Sequence, residues 1–261
     1  MLILIKGAGD LASGIALRLF RCGMDIVMTE LEKPTSIRRT VCFSEAVFHK
    51  TASVEDVEAV LSDKERALEV VSRGKIAVIV DPACACRETL KPDVLVDARL
   101  MKRNDGTTMA DAPFVIGVGP GFTAGTDCHA VVETQRGHRL GRVIWQGAAE
   151  KNTGIPGFIA GFSVERLLRA PDDGEFVTQK SIGDIVKKGE TIATVNGKPM
   201  TAEIDGVLRG LLPDGARVKL GMKSGDIDPR CEREHCFTAS DKALAVGGGV
   251  VEAILWNMNR K

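Results

Sequence analysis

Several groups of residues in this chain have types and spacings suited to chemistry. The first is Gly7-Ala8-Gly9-Asp10-Leu11-Ala12, set between an apolar run and a helical pattern. It fits G-x-G-x-x-G/A, where the glycines allow a tight turn and close approach of a pyrophosphate, and the last small residue lets helix meet strand. Main-chain N–H groups and the helix dipole favour an anion there. Gly7, Gly9, Asp10 and Ala12 are therefore candidate dinucleotide-binding residues. Asp10 is expected to cap the helix or orient a hydroxyl, since a carboxylate repels phosphate. Glu30 lies roughly 20 residues on, where a ribose-binding acid belongs. Arg38 and Arg39 suit bidentate phosphate recognition and equally a solvated basic pair.

Open parallel sheets bind ligands at the carboxyl ends of their strands, which singles out Asp81 and Asp97. Cys84 and Cys86 follow Asp81 closely enough to hold a soft metal or handle sulfur. C-x-C without further ligands nearby also describes ordinary buried thiols. Asp127, His129 and Glu133 alternate along an expected strand and share one face, a polar row suited to acid–base chemistry or to solvent. They are the candidate catalytic residues. Cys231, His235 and Cys236 form another cluster, but C-x4-C with one histidine is not a common zinc spacing, and no metal is expected. Neither a G-x-S-x-G elbow nor a P-loop occurs.

The elements that must carry these residues can be read from periodicity. Met1–Ile5 is apolar on both faces, as in a central parallel strand. Leu11, Ile15, Leu19 and Phe20 recur at helical spacing, and Gly23 ends that helix. A strand over 25–29 follows, then two short helices, one capped by Ser53 and one by Ser62 with Glu65. Apolar strands are expected at 76–80, 94–96 and 114–118. Beyond Gly119-Pro120-Gly121, two strands over 127–134 and 140–145 form a hairpin. Short glycine-punctuated β pieces fill the region from Ile182. Ser240 caps a closing helix in which Gly247-Gly248-Gly249 marks a break or a close approach to backbone or ligand. The expected fold is α/β, with a Rossmann-like doubly wound parallel sheet over 1–118. A mainly β part over 119–261 follows, closed by a helix over 240–258.

Composition bounds the function classes. The 261 residues carry 35 Lys+Arg against 35 Asp+Glu, so the basic excess of a nucleic-acid or anionic-membrane binder is missing. No run approaches the roughly 18 to 20 apolar residues of a membrane span. The N-terminus has no basic n-region and reads as a strand, not a signal peptide. Seven cysteines, an odd number in a chain this long, do not suggest a disulfide framework, so a reducing cytoplasm is expected.

Two resemblances add to this reading. Ile182–Ala193, with Ala202–Leu208 and Gly215–Val218, resembles the hammerhead repeat of biotinyl and lipoyl domains over residues 176–226. That implies a flattened barrel-sandwich. Gly197-Lys198-Pro199-Met200 departs from the Met-Lys-Met of biotinyl domains, so no covalently attached cofactor is expected. Longer strings resemble the selenium-dependent molybdenum hydroxylase system accessory proteins. They include Gly7–Gly14, Thr29-Glu30 with Pro34, Arg38–Val41, Pro92–Ala98 and Gly119–Phe122. Asp127 with His129–Val131, Arg136-Gly137-His138, Asn152–Gly154, Gly225–Arg230, Ser240–Ala243 and Gly247–Gly249 continue the match.

The second resemblance implies a maturation role for a molybdenum hydroxylase. The chain would bind molybdopterin dinucleotide or a precursor, with the hydroxylase or its maturation proteins as partners. Gly7 and Gly9 would admit the pyrophosphate, Glu30 a ribose hydroxyl, and Arg38 with Arg39 a phosphate. Asp127, His129 and Glu133 would polarise the pterin end or a bound ion. Cys84 and Cys86 are expected to lie outside that family's pattern. The alternatives are an NAD-dependent oxidoreductase using the same turn and a non-catalytic interaction module docking on a hydroxylase subunit.

Overall fold

The computed structural model describes residues 1–260, and the chain divides into two compact units. The first comprises residues 1–34, 42–153 and 239–261, and the second comprises 35–41 and 154–238. The division is not sequential: the second unit is built from two excursions out of the first.

The first unit opens with β1 (Leu2–Lys6), α1 (Asp10–Arg21) and β2 (Asp25–Glu30). After the first excursion come α2 (Ala46–His49), β3 (Thr51–Val54), β4 (Val57–Ser62), α3 (Ala67–Ser72) and β5 (Ile76–Val80). Then follow α4 (Arg87–Leu90), β6 (Val94–Asp97), β7 (Phe114–Val118), β8 (Thr123–Ala124), β9 (Ala130–Val132), β10 (Val143–Ile144) and β11 (Gly147–Ala148). Nine of these strands form one sheet in the order β10-β9-β7-β6-β1-β2-β5-β4-β3. Its interior is parallel, and the edge strands β3 and β10 run antiparallel to their neighbours.

The second unit holds β12 (Leu167–Arg169), β13 (Gly174–Thr178), β14 (Ile185–Val186) and β15 (Thr191–Val195). It continues with β16 (Lys198–Thr201), β17 (Gly206–Leu211), β18 (Arg217–Val218) and β19 (Lys223–Asp228). They make two four-stranded sheets, β12-β19-β17-β14 and β16-β15-β13-β18. Phe176, Ile192, Leu208 and Ile227 are among the residues of the one core the two sheets share. Helix α5 (Asp241–Met258) then closes the first unit.

This architecture corrects the expected fold class. A doubly wound sheet carries a helix in each crossover, whereas here the β6-to-β7 passage holds only a 3-10 turn (Met109–Asp111) and β7 to β9 only β8. The result is a large mixed sheet with few helices. A Rossmann-like domain succeeded by a biotinyl/lipoyl-like barrel-sandwich is not the arrangement found.

Two local expectations also change. Residues 51–62 form the hairpin β3–β4, not a helix capped by Ser53, and Glu55 turns the chain with φ +54°. Val54, Val57 and Ala59 are buried from it, and β4 pairs in parallel with β5, a partnership that β-branched residues favour. The glycine run in α5 does not break the helix. It lets backbones approach: a Cβ on Gly247 would stand 2.9 Å from Gly14 O, and one on Gly249 2.1 Å from Gly141 O. Ser240 caps α5 as expected, its Oγ accepting from Ala243 N at 3.1 Å.

The crossing of α1 and α5 sets a clear expectation. A Cβ on Gly14 would lie 2.5 Å from Ala243 Cβ. Gly14→Val should therefore cost about 1 to 3 kcal/mol in chemical denaturation by overpacking, and Ala243→Gly in the same chain should recover part of it.

Candidate functional site

The sheet changes direction between β1 and β6, so a ligand crevice is expected at their carboxyl ends. Lys6, the only charged residue of β1, emerges there and is buried. Its Nζ donates to Thr107 Oγ1 at 2.7 Å and lies 3.4 Å from Asp97 Oδ2. The Thr107 hydroxyl donates to Asp97 Oδ2 at 2.6 Å, and Arg99 Nε donates to Asp97 Oδ1 at 3.0 Å. Arg99 also donates to Asp105, Nη1 to Oδ2 at 2.9 Å. Asp97 is only 1% exposed. Burial raises its proton affinity, but the hydrogen bonds from Arg99 and Thr107 and the charges of Arg99 and Lys6 outweigh that and hold it below the ordinary value. The switch point is thus filled by the protein's own side chains, and Asp97 is engaged inside that network.

The glycine turn is also internally satisfied. Gly7 N donates to Thr29 O at 2.9 Å, with Gly7 at φ +96°. Ala8 N donates to Glu30 Oε2 at 2.9 Å, and Leu31 N to Glu30 Oε1 at 2.8 Å. Ala8 O accepts from Ser13 Oγ at 3.1 Å and Ser44 N at 2.9 Å. The Glu30 carboxylate therefore turns back onto the amide that was expected to grip a diphosphate. Gly9 is the N-cap of α1, Asp10 stands in its first turn rather than at the cap, and Ala12 is buried. Arg38 and Arg39 belong to the second unit. There Arg38 Nη2 donates to His235 O at 2.9 Å, and Arg39 Nε to Leu211 O at 2.9 Å.

Asp127, His129 and Glu133 bracket β9, and each accepts a hydrogen bond from a different part of the main chain. Asp127 Oδ2 accepts from Thr123 N at 2.7 Å, and His129 Nδ1 from Val115 N at 3.0 Å. Glu133 is 1% exposed; Oε1 accepts from Thr134 N and Gln135 N, both at 2.7 Å, and Oε2 from Glu150 N at 2.8 Å. Each fixes a loop. In the second unit, buried Cys236 faces Leu208 O at 3.7 Å, while Cys231 is exposed. Among the described residues no group of three or more His, Cys, Asp or Glu is placed to hold a metal.

The carboxyl end of β5 is different. Asp81 Oδ2 accepts from Cys86 N at 2.7 Å, and Cys84 N donates to Asp81 O at 3.0 Å, so the loop after β5 wraps the carboxylate. Burial opposes ionisation of Asp81, but hydrogen bonds from the main chain of Cys86, Ala85 and Cys84 leave its proton affinity below the ordinary value. Cys84 and Cys86 are 1% and 2% exposed. The hydrogen bond from Cys86, aided by the positive charge of Lys6 and the Thr29 hydroxyl, pulls the Cys84 thiol below its ordinary range despite burial. The same bond, with burial and the negative charges of Cys84 and Asp81, drives Cys86 far up. Ionisation of the pair is thus favoured at Cys84 and opposed at Cys86. Cys86, Ala85 and Asp81 border a cavity of about 960 Å³ at the carboxyl ends of β4 and β5, walled by α3. Sequence reasoning had placed Asp81 and the thiols at a strand end but missed Lys6 and Thr29. The available signal was one lysine closing an otherwise apolar strand.

No protein-family model matches the chain. It is 50% identical over 260 residues, 99% of its length, to a protein of Escherichia coli (strain K12) described as "Uncharacterized protein YqeB". The chain spans about half of that relative, 48% of its length. Among solved structures, it is similar to a succinylglutamate desuccinylase/aspartoacylase from Rhodobacter sphaeroides. The identity is 14%, with 85% of this chain and 86% of that chain covered and a TM-score of 0.27. An aspartoacylase family protein from Mesorhizobium loti gives 11% identity, 87% and 84% coverage and a TM-score of 0.29. Likeness this slight carries neither a fold nor an activity to this chain. The comparisons correct the expected kinship. The relative is described only as uncharacterized and these solved structures as desuccinylase or aspartoacylase proteins, not as molybdenum hydroxylase accessory proteins. The maturation role, the oxidoreductase alternative and the hydroxylase-docking module are set aside with it.

Breaking the buried network at the switch point should be costly. Asp97→Asn leaves Lys6 and Arg99 facing a neutral amide, and a loss of about 3 to 5 kcal/mol is expected in urea denaturation at neutral pH. Because the carboxyl of Asp97 is held low in the folded chain, its contribution is present above pH of about 4 and lost as pH falls below. The native chain should therefore lose stability on acidification through that window, and the variant should lose less.

Proposed function

We propose that this protein holds a small polar molecule in the cavity at the carboxyl ends of β4 and β5. The observation that carries the reading is a cavity of about 960 Å³ with Asp81 and Cys86 in its wall, beside a switch point already filled from within. That volume lies within the roughly 300 to 1,000 Å³ of small-molecule sites. Val60, Leu61, Val70 and Ile79 supply apolar lining. The charged lining is balanced: Lys50, Lys64, Arg66 and Arg73 stand against Asp63, Glu65, Glu69 and Asp81. Several of these already meet one another, as where Arg66 Nε lies 3.8 Å from Asp63 Oδ2. A balanced wall favours a zwitterionic or neutral polar ligand over a polyanion, whose excess charge would meet four carboxylates.

The test is a titration with amino acids, small sugars and mononucleotides, followed by amide chemical shifts. Saturable shifts confined to β4, α3 and residues 81–86 are expected, and Glu69→Trp should weaken binding at least about tenfold by filling the cavity (roughly 1.4 kcal/mol). Shifts centred on Gly7–Asp10, or binding indifferent to Glu69→Trp, contradict the reading.

A further inference from the structure

We propose that the ligand of this cavity is a short peptide with both ends free, its ammonium held by Asp81 and its carboxylate by Lys50, an inference that rests on the cavity being a ligand site. The charges of the wall are not all open to a ligand. Arg73 pairs with Glu69, Arg66 Nε lies 3.8 Å from Asp63 Oδ2, and Lys64 Nζ lies 3.9 Å from Glu65 Oε1. That leaves one cation and one anion, Lys50 and Asp81, in no ion pair among the described residues. Both are fixed from the main chain outward. Lys50 ends α2 at φ +71°, a left-handed conformation that lysine seldom adopts, and its carbonyl accepts from Leu61 N at 2.8 Å. The Asp81 carboxylate accepts from Cys86 N at 2.7 Å, which sets its direction and leaves acceptor sites over, since a carboxylate has roughly four. Burial opposes its ionisation, but main-chain hydrogen bonds keep it charged at neutral pH and able to hold an ammonium.

The register of the sheet sets the distance the ligand must span. Leu61 bonds to Lys50 on one side and pairs with Val78 of β5 on the other. Adjacent strands lie about 4.8 Å apart, which puts the Lys50 backbone roughly 10 Å across the sheet from β5. Asp81 stands beyond Val78 along the chain, which adds to the gap. A polypeptide advances at most about 3.3 to 3.6 Å per residue, so a single amino acid carries its two charges too close together to meet both groups. Two or three residues, about 7 to 10 Å, span the gap once the lysine stem reaches in. The volume agrees, since about 960 Å³ lies at the upper end of the roughly 300 to 1,000 Å³ of small-molecule sites. Val60, Leu61, Val70 and Ile79 give the wall an apolar part that suits aliphatic side chains.

The test titrates the full chain with Ala-Leu and Ala-Leu-Ala, each also in N-acetylated and C-amidated form, and with leucine alone, followed by amide chemical shifts. The free peptides should give saturable shifts over β4, α3 and residues 81–86. Blocking either end, or shortening to leucine, should weaken binding at least about tenfold (roughly 1.4 kcal/mol). Lys50→Asn removes the ammonium and keeps a residue tolerant of the left-handed region; it should weaken the free peptide about tenfold and the amidated one little. Asp81→Asn should likewise weaken the free peptide and spare the acetylated one. Equal affinity for free and blocked peptides overturns the proposal, as does a Lys50→Asn loss shared by both, or leucine binding as tightly as the peptides. Sugars or mononucleotides that shift these residues while the peptides do not remove the peptide and leave the cavity as a site. Silence of these residues towards every ligand removes both.

Discussion

One buried ammonium organises the carboxyl edge of the large sheet. Lys6 ends a strand that is otherwise apolar, in register with Thr29 of β2 and Asp97 of β6, and taking its charge out of water costs several kcal/mol unless it is paired. Asp97, from the adjacent strand, and Thr107, from the loop beyond it, supply the pairing. Meeting that requirement draws residues 97–107 over the ends of β1 and β6, where an α/β sheet ordinarily receives its ligand. The space for a small molecule is found further along the edge, over β4 and β5. The same charge also reaches Cys84, so a single lysine ties the filled switch point to the thiol loop.

The glycine turn follows the same logic of internal satisfaction. A tight turn entering a helix exposes amides that attract an anion, whatever its source. Here the anion is the protein's own Glu30, and Ser13 with the 43–44 backbone covers the opposite side of the turn. The G-x-G-x-x-A pattern records the geometry of strand, turn and helix; it does not record which carboxylate or phosphate answers it.

Much of the local structure was legible. The strands at Ile76–Val80 and Phe114–Val118, the first helix and the Ser240 cap all stand where periodicity and capping chemistry put them. Residues 51–62 were misread because Val54, Val57, Val60 and Leu61 fit a helical stripe as well as a strand hairpin. Only parallel pairing with β5, a contact distant in sequence, decides between them. The glycines of α5 were ambiguous for the same reason: their function lies in contact with Gly14 and Gly141, which a linear reading cannot bring near. In the site, Asp81 and the thiols were visible as residues at a strand end. Thr29 and Thr107 were not, because a threonine acquires a role only from the charges folded around it. Asp127, His129 and Glu133 show the converse, a suggestive polar row whose members each serve the backbone.

The central claim is that the surroundings of Cys84, the charge of Lys6 among them, lower its proton affinity, while burial and the neighbouring negative charge raise that of Cys86. The most direct measurement is thiolate ultraviolet absorbance against pH, taken as the difference between the native chain and a chain carrying Cys84→Ala with Cys86→Ala. One thiolate should appear below the ordinary thiol range, and the second should not appear while the chain remains folded. Two thiolates rising together near the ordinary thiol value would contradict the account.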